Sequence, residues 1–151
     1  MSTLEKAVDL DSVKVIVFQL GEKEYAIPVN QVQGIEKAMH ITRVPKTPSY
    51  VKGVINLRGV VTPIIDLRDR FNVKSTVEND DTRIIIISLD DMEVGFIVDA
   101  ANDVMDIPTS SIEPQPEVVG SFEEEFISGV AKTDKRLLIL LNLEKVLHTL
   151  K

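Results

Sequence analysis

The 151-residue chain contains no cysteine, so disulfides and thiolate metal sites are excluded and a reducing compartment is expected. Tryptophan is also absent and aromatic residues make up only 5%, which leaves few platforms on which nucleotide bases could stack. Basic residues are in the minority: 24 Asp and Glu against 17 Lys and Arg give a formal charge of −7. Phosphate recognition needs a basic face, so a small nucleic-acid-binding barrel, the alternative from another class, is disfavoured. No apolar run approaches the roughly 20 residues of a membrane helix; the longest, Leu137–Leu141, is strand-sized. The first residues lack the pattern of a secretory signal, and a cytoplasmic protein without membrane insertion is expected.

Catalytic equipment is equally sparse. His40 and His148 are the only histidines, and neither sits in a nucleophile motif or at metal-ligand spacing. The adjacent acids Asp80-Asp81, Asp90-Asp91 and Glu123-Glu124-Glu125 point in different directions on a strand or turn. Solvated turns explain them better than an acid/base dyad. No glycine-rich phosphate loop is present. The expectation is a binding protein with no enzyme activity, metal or cofactor.

What the chain does contain is one unit written twice. Shifted by 69 positions, Val13–Leu20 lies over Thr82–Leu89, and the register runs on without a gap through Glu24/Glu93, Ala26/Gly95, Val29/Val98 and Ile35/Val104. Shifted by 76, Gly53-Val54 falls on Gly129-Val130 and Ile64–Leu67 on Leu140–Leu143. The change of offset marks a seven-residue insertion in the second copy, within the polar stretch Glu113–Glu125. That stretch is expected to be exposed and mobile, and residues 1–12 a frayed arm or short helix. A duplication implies two similar units that support each other, since a half of about 65 residues is marginal alone.

Runs rich in Ile and Val predict strands at Val13–Leu20, Tyr25–Val29, Val54–Leu57 and Val60–Leu67. In the second copy they fall at Ile84–Leu89, Val94–Val98, Ser128–Ala131 and Leu137–Leu141. Tight turns lie at Gly21–Glu24, Arg58-Gly59, Asp90-Asp91 and Thr133–Arg136. Uninterrupted apolar strands such as Ile84–Ile87 imply burial on both faces, as in two small barrels packed together. Short helices are expected at Thr47–Gly53, Asn30–Gln33 and Ala100–Asp103. Leu143, Val146, Leu147 and Leu150 recur at helical spacing, so an amphipathic C-terminal helix should lid one barrel. The lobes are expected at about 13–72 and 80–143, the second with helix 143–150, in a single domain over 1–151 whose strands cross between lobes.

One residue lacks a packing reason: Arg58, at the tip of a hairpin, where the second copy has Asp134. The segments Val29–Glu36 and Val98–Val104 present spaced apolar residues after edge-like strands.

The strings Gly53-Val-Ile-Asn-Leu-Arg-Gly59, Pro63-Ile-Ile-Asp-Leu67 and Val94-Gly-Phe-Ile-Val-Asp99 resemble, in combination, the chemotaxis coupling (adaptor) protein CheW family, and the resemblance spans Lys14 to Leu147. It implies a mainly β fold of two intertwined five-stranded SH3-like β-barrels with pseudo-symmetry. It also implies a non-catalytic adaptor that couples the cytoplasmic tips of transmembrane chemoreceptors to the regulatory domain of a CheA-type histidine kinase. A scaffold of a pilus, gliding or second-messenger pathway built on the same module is the nearest alternative. By the same resemblance Val29, Val32, Ile35, Arg58 and Val98, with Ile16 and Ala101, line a groove for receptor helices. Many relatives carry an acid where this chain has Gly34, with Glu36 two positions on. The kinase-binding residues are not assigned.

Overall fold

The structure is a computed structural model that describes residues 12–37, 39–70, 80–89, 91–113, 126–133 and 136–147. The arm 1–11, most of the insertion, the Asp134-Lys135 turn, His148 and Leu150 lie outside these residues. Among the described residues eleven strands run in chain order: β1 Ser12–Leu20, β2 Lys23–Pro28, β3 Val32–Lys37, β4 Val51–Leu57, β5 Val60–Asp66, β6 Arg83–Leu89, β7 Met92–Val98, β8 Ala100–Pro108, β9 Ile112–Glu113, β10 Ile127–Thr133 and β11 Arg136–Leu141. Helices are short: α1 Leu67–Arg70, α2 Leu143–Leu147, and 3₁₀ turns at Val29–Gln31 and Thr109–Ser111.

The strands form a five-stranded sheet, β3-β6-β7-β5-β4, and a six-stranded sheet, β8-β1-β2-β11-β10-β9, whose last member is only two residues long. The chain forms two compact units, one holding residues through Val17, Lys23–Val29 and Asn102 onward, the other Phe18–Glu22 and Asn30–Ala101. This differs from the contiguous division at about 13–72 and 80–143. The first copy's β1 and β2 join the second copy's β10 and β11, and the first copy's β3, β4 and β5 join β6 and β7. The chain passes between units after Val17, Glu22, Val29 and Ala101.

The duplication is visible in the registers. In the hairpin β4–β5, Gly53 faces Ile64, Ile55 faces Thr62 and Leu57 faces Val60. In β10–β11, Gly129 faces Leu140, Ala131 faces Leu138 and Thr133 faces Arg136, the same pairs shifted by 76, with the same irregularity two residues earlier. The parallel pairs agree as well: Ile64 faces Gly95 between β5 and β7, and Leu140 faces Ala26 between β11 and β2.

The five-stranded sheet encloses Ile55, Ile64, Ile84, Ile86 and Ile97, with Ile41 and Leu57 at its margin. Each buried isoleucine contributes roughly 2 kcal/mol of transfer free energy. The six-stranded sheet encloses the counterparts: Val15 and Val17 match Ile84 and Ile86, Leu140 matches Ile64, and Ala131 matches Ile55. The opposite strand faces are buried too, through Phe18, Tyr25, Ile27, Ile85, Ile87 and Phe96. That explains why the apolar runs lack alternation.

Charge secures the second unit internally. Arg68, at 2% exposure, donates from Nε to Asp66 Oδ1 at 3.3 Å and from Nη1 to Asp99 Oδ1 at 3.0 Å. Asp99 Oδ2 accepts the Gly21 backbone N–H at 2.7 Å, and the Asp99 N–H donates to the Gln19 carbonyl at 2.9 Å. The segment Phe18–Glu22 is thereby tied to β7.

Three helical expectations need correction. Thr47–Gly53 is a turn, in which the Val51 N–H donates to the Pro48 carbonyl at 3.0 Å, followed by β4. Ala100–Asp103 opens β8, and the turn expected at Asn30–Gln33 is Val29–Gln31 and gives way to β3. In both strand cases pairing overrides local preference: β3 takes the Ile84–Ile87 run of β6 as its partner. The C-terminal helix is present, with Leu143, Val146 and Leu147 buried and Asn142 Oδ1 accepting the Lys145 N–H at 3.2 Å.

Candidate functional site

Between β4 and β5 the chain reverses in two residues, Arg58 at φ 53° and Gly59 at φ 85°. Both lie in the left-handed region, the geometry of a type I′ turn, which matches the twist of the flanking strands. Asn56 Oδ1 accepts the Gly59 N–H at 2.9 Å and steadies the tip. Glycine adopts this conformation freely, whereas an arginine pays roughly 1 kcal/mol for it. The turn therefore does not account for Arg58, and its side chain is 79% exposed.

Sheet order puts β3 and β4 at opposite edges of the five-stranded sheet, yet Arg58 Nη2 lies 3.7 Å from Glu36 Oε2 on β3. The sheet has curled until its edges approach, the closure expected of a small barrel. An exposed pair at this distance is weak, worth well under about 1 kcal/mol, so Arg58 is available to another partner. Gln33, Gly34, Glu36, Leu57, Arg58, Val60, Ile86 and Glu93 line a pocket of about 240 Å³ at this junction.

The expected groove residues divide. Val32 is half-buried and Ile35 is 43% exposed on β3, on the same unit as Arg58. Ala101, half-buried at the start of β8, also belongs to that unit. Val29 is half-buried in a 3₁₀ turn of the other unit. Val98 at 0% and Ile16 at 6% exposure are core residues and offer no surface, a correction to the groove expected from the resemblance. Both lie on strands buried on both faces, where apolar character does not distinguish wall from core.

Sequence reading missed Val60 and Val61, which open β5 just after Arg58 and are 49% and 64% exposed. Their counterparts behave alike: Leu137, which matches Val61, is 49% exposed, and Val104, which matches Ile35, 57%. Arg58, Val60 and Val61 present basic and apolar groups together at one end of the five-stranded sheet, an arrangement suited to docking. His40 is exposed, and no cluster of metal-ligating residues occurs among the described residues. No helix among them is long and apolar enough to cross a membrane.

Comparison with known proteins matches the CheW-like domain family over residues 14–151. The chemotaxis protein CheW of Bacillus subtilis (strain 168) is 51% identical over 134 residues, covering 89% of this chain and 86% of that protein. The chemotaxis protein CheW of Thermotoga maritima is 33% identical over 148 residues, covering 98% and 95%. Among solved structures, the scaffolding protein TtCheW from Thermoanaerobacter tengcongensis superposes with a TM-score of 0.83 at 38% identity, over 89% of this chain and 91% of that one.

Proposed function

The chain belongs to the CheW-like family and is a chemotaxis adaptor, and from that premise we propose that it couples the cytoplasmic tips of transmembrane chemoreceptors to a CheA-type histidine kinase. It acts in the cytoplasm, without catalysis, and is recruited to membrane-associated receptor arrays. The receptor helix docks against β3 and the tip of the β4–β5 hairpin. Val32 and Ile35 take the helix's apolar stripe, with Ala101 as a further contact on the same unit, and Arg58 pairs with carboxylates or terminal carbonyls of the helix.

The observation that carries this reading is the conformation of Arg58, a large cation held at φ 53° where asparagine or glycine would fit with less strain. Strain kept at an exposed tip is reasonable where the side chain is used in binding. Two variants test it against a receptor cytoplasmic hairpin, by calorimetry and by denaturant unfolding. Arg58→Asn should stabilise the fold by about 0.5–1 kcal/mol, because asparagine tolerates the left-handed region. The same variant should bind the hairpin roughly tenfold more weakly. Arg58→Glu should lose receptor binding while retaining the kinase regulatory domain. Unchanged receptor affinity in both variants would show that the site is misassigned.

A further inference from the structure

In the first unit the guanidinium of Arg136, the first residue of β11, holds two carboxylates at once. Nε and Nη2 donate to Glu24 at 3.0 and 2.7 Å, and Nη1 and Nη2 donate to Asp103 at 3.1 Å each. The clamp joins β11 to β2 and β8. Under the repeat, its three members correspond to Val60, Glu93 and Gly34 in the second unit. The second copy's arginine is thus a valine in the first copy, and its aspartate a glycine, while the glutamate is kept.

Those three residues line the pocket of about 240 Å³ beside Arg58. The buried Ile86, the counterpart of Val17, also lines it. The pocket therefore occupies the position that the Arg136 guanidinium fills in the other barrel. Two carboxylates, Glu36 and Glu93, face one cation, Arg58, so the lining carries a net negative charge. Arg58 sits at 3.7 Å from Glu36. Among the described residues Glu93 receives only a long contact, 3.4 Å, from the Thr62 hydroxyl, whose single proton the Val60 carbonyl also accepts at 3.4 Å. A carboxylate with such weak local support at a partly apolar pocket is suited to a forked cation.

We infer that this pocket accepts an arginine side chain from the docking partner, which makes in trans, to Glu93, the bidentate contact that Arg136 makes in cis to Glu24. The inference rests on the docking reading above and specifies the chemistry of the partner: an arginine on the receptor hairpin, beside the stripe that covers Ile35. Lysine would serve poorly, because the two parallel bonds to one carboxylate require the planar guanidinium.

The test uses the intact protein and a receptor cytoplasmic hairpin. Glu93→Gln keeps size and the Thr62 contact but removes the charge, and should weaken hairpin binding roughly tenfold without lowering the unfolding midpoint. Val60→Arg combined with Gly34→Asp rebuilds the clamp inside the second unit. A Cβ at Gly34 would find only Glu36 Oε2, at 3.7 Å, so the aspartate is sterically admitted. This double variant should unfold at higher denaturant concentration and fail to bind, its own guanidinium filling the pocket. On the partner side, one arginine of the hairpin should match the Glu93→Gln loss when changed to lysine, and the two changes together should cost little more than either alone. A wild-type protein that does not bind the hairpin would overturn the docking reading and this inference together. Normal binding by wild type and by Glu93→Gln, or by the rebuilt clamp, would overturn the pocket assignment and leave the docking reading standing.

Discussion

The buried Arg68 pairs with the half-buried Asp99, Nη1 to Oδ1 at 3.0 Å, with side chains 3% and 20% exposed. Asp66 shares the guanidinium and Asp99 also holds the Gly21 amide. One basic side chain thus connects the end of β5, the end of β7 and the turn after β1.

Removing that cation should be among the most damaging single changes in the second unit. Arg68→Met leaves Asp66 and Asp99 without the cation they share; breaking a fully buried pair costs about 3–5 kcal/mol, and the partial exposure of Asp99 places this loss toward the lower end. Denaturant unfolding measures the loss. Asp99→Asn should cost less and act more locally. Amide exchange at Gly21, whose N–H loses a charged acceptor, should quicken ahead of exchange in β6.

Two glycines of one hairpin should respond to very different degrees. Gly53 has φ 149°, and a Cβ there would lie 2.1 Å from the Thr42 carbonyl oxygen, which also accepts the Val54 N–H at 2.8 Å. Backbone cannot yield as a side chain can, so Gly53→Ala should cost more than about 3 kcal/mol or prevent folding. Gly59 meets nothing within 4 Å and is constrained only by its φ of 85°. Gly59→Ala should cost about 1 kcal/mol. Equal effects in unfolding experiments would refute the geometry.

The Arg136 clamp sets a pH expectation. The hydrogen bonds that Arg136 donates to Glu24, and then to Asp103, raise the guanidinium pKa above its ordinary value, against the opposing effect of burial. A group whose pKa is raised on folding adds stability that is complete below its unfolded pKa and disappears as pH climbs through the folded one. Both values lie above the mildly alkaline range, so the contribution of Arg136 should be flat from neutral to mildly alkaline pH. Arg136→Lys keeps the charge but not the fork and should lose roughly 1 kcal/mol. A stability difference between wild type and Arg136→Lys that changes across this pH range would contradict the assignment.

Much of the architecture was legible because a duplication leaves its registers in the chain. The offsets of 69 and 76 located equivalent strands, and the paired residues of β4–β5 and β10–β11 reproduce the second offset position by position. β3 and β8 were not legible as strands: Val32-Gln-Gly-Ile-Glu-Lys and Ala100-Ala-Asn-Asp-Val carry polar or small residues that local preference assigns to turns. In the site, Arg58 stood out because no core or turn rule called for it. Val60 and Val61 did not, since an exposed valine and a buried one are identical on the page.

By itself the sequence determined the mainly β character, the two-copy plan, the turn at Arg58-Gly59 and the poverty of catalytic groups, all properties of local pattern and composition. The tertiary structure decided which copy's strands share a barrel, because β2 pairs with β11 through residues such as Glu24 and Arg136, 112 positions apart, where no local preference reaches. It also decided which apolar side chains remain outside, and that one barrel fills with its own arginine the place the other leaves as a pocket. Those outcomes depend on packing geometry summed over distant strands, and short-range propensity does not encode them.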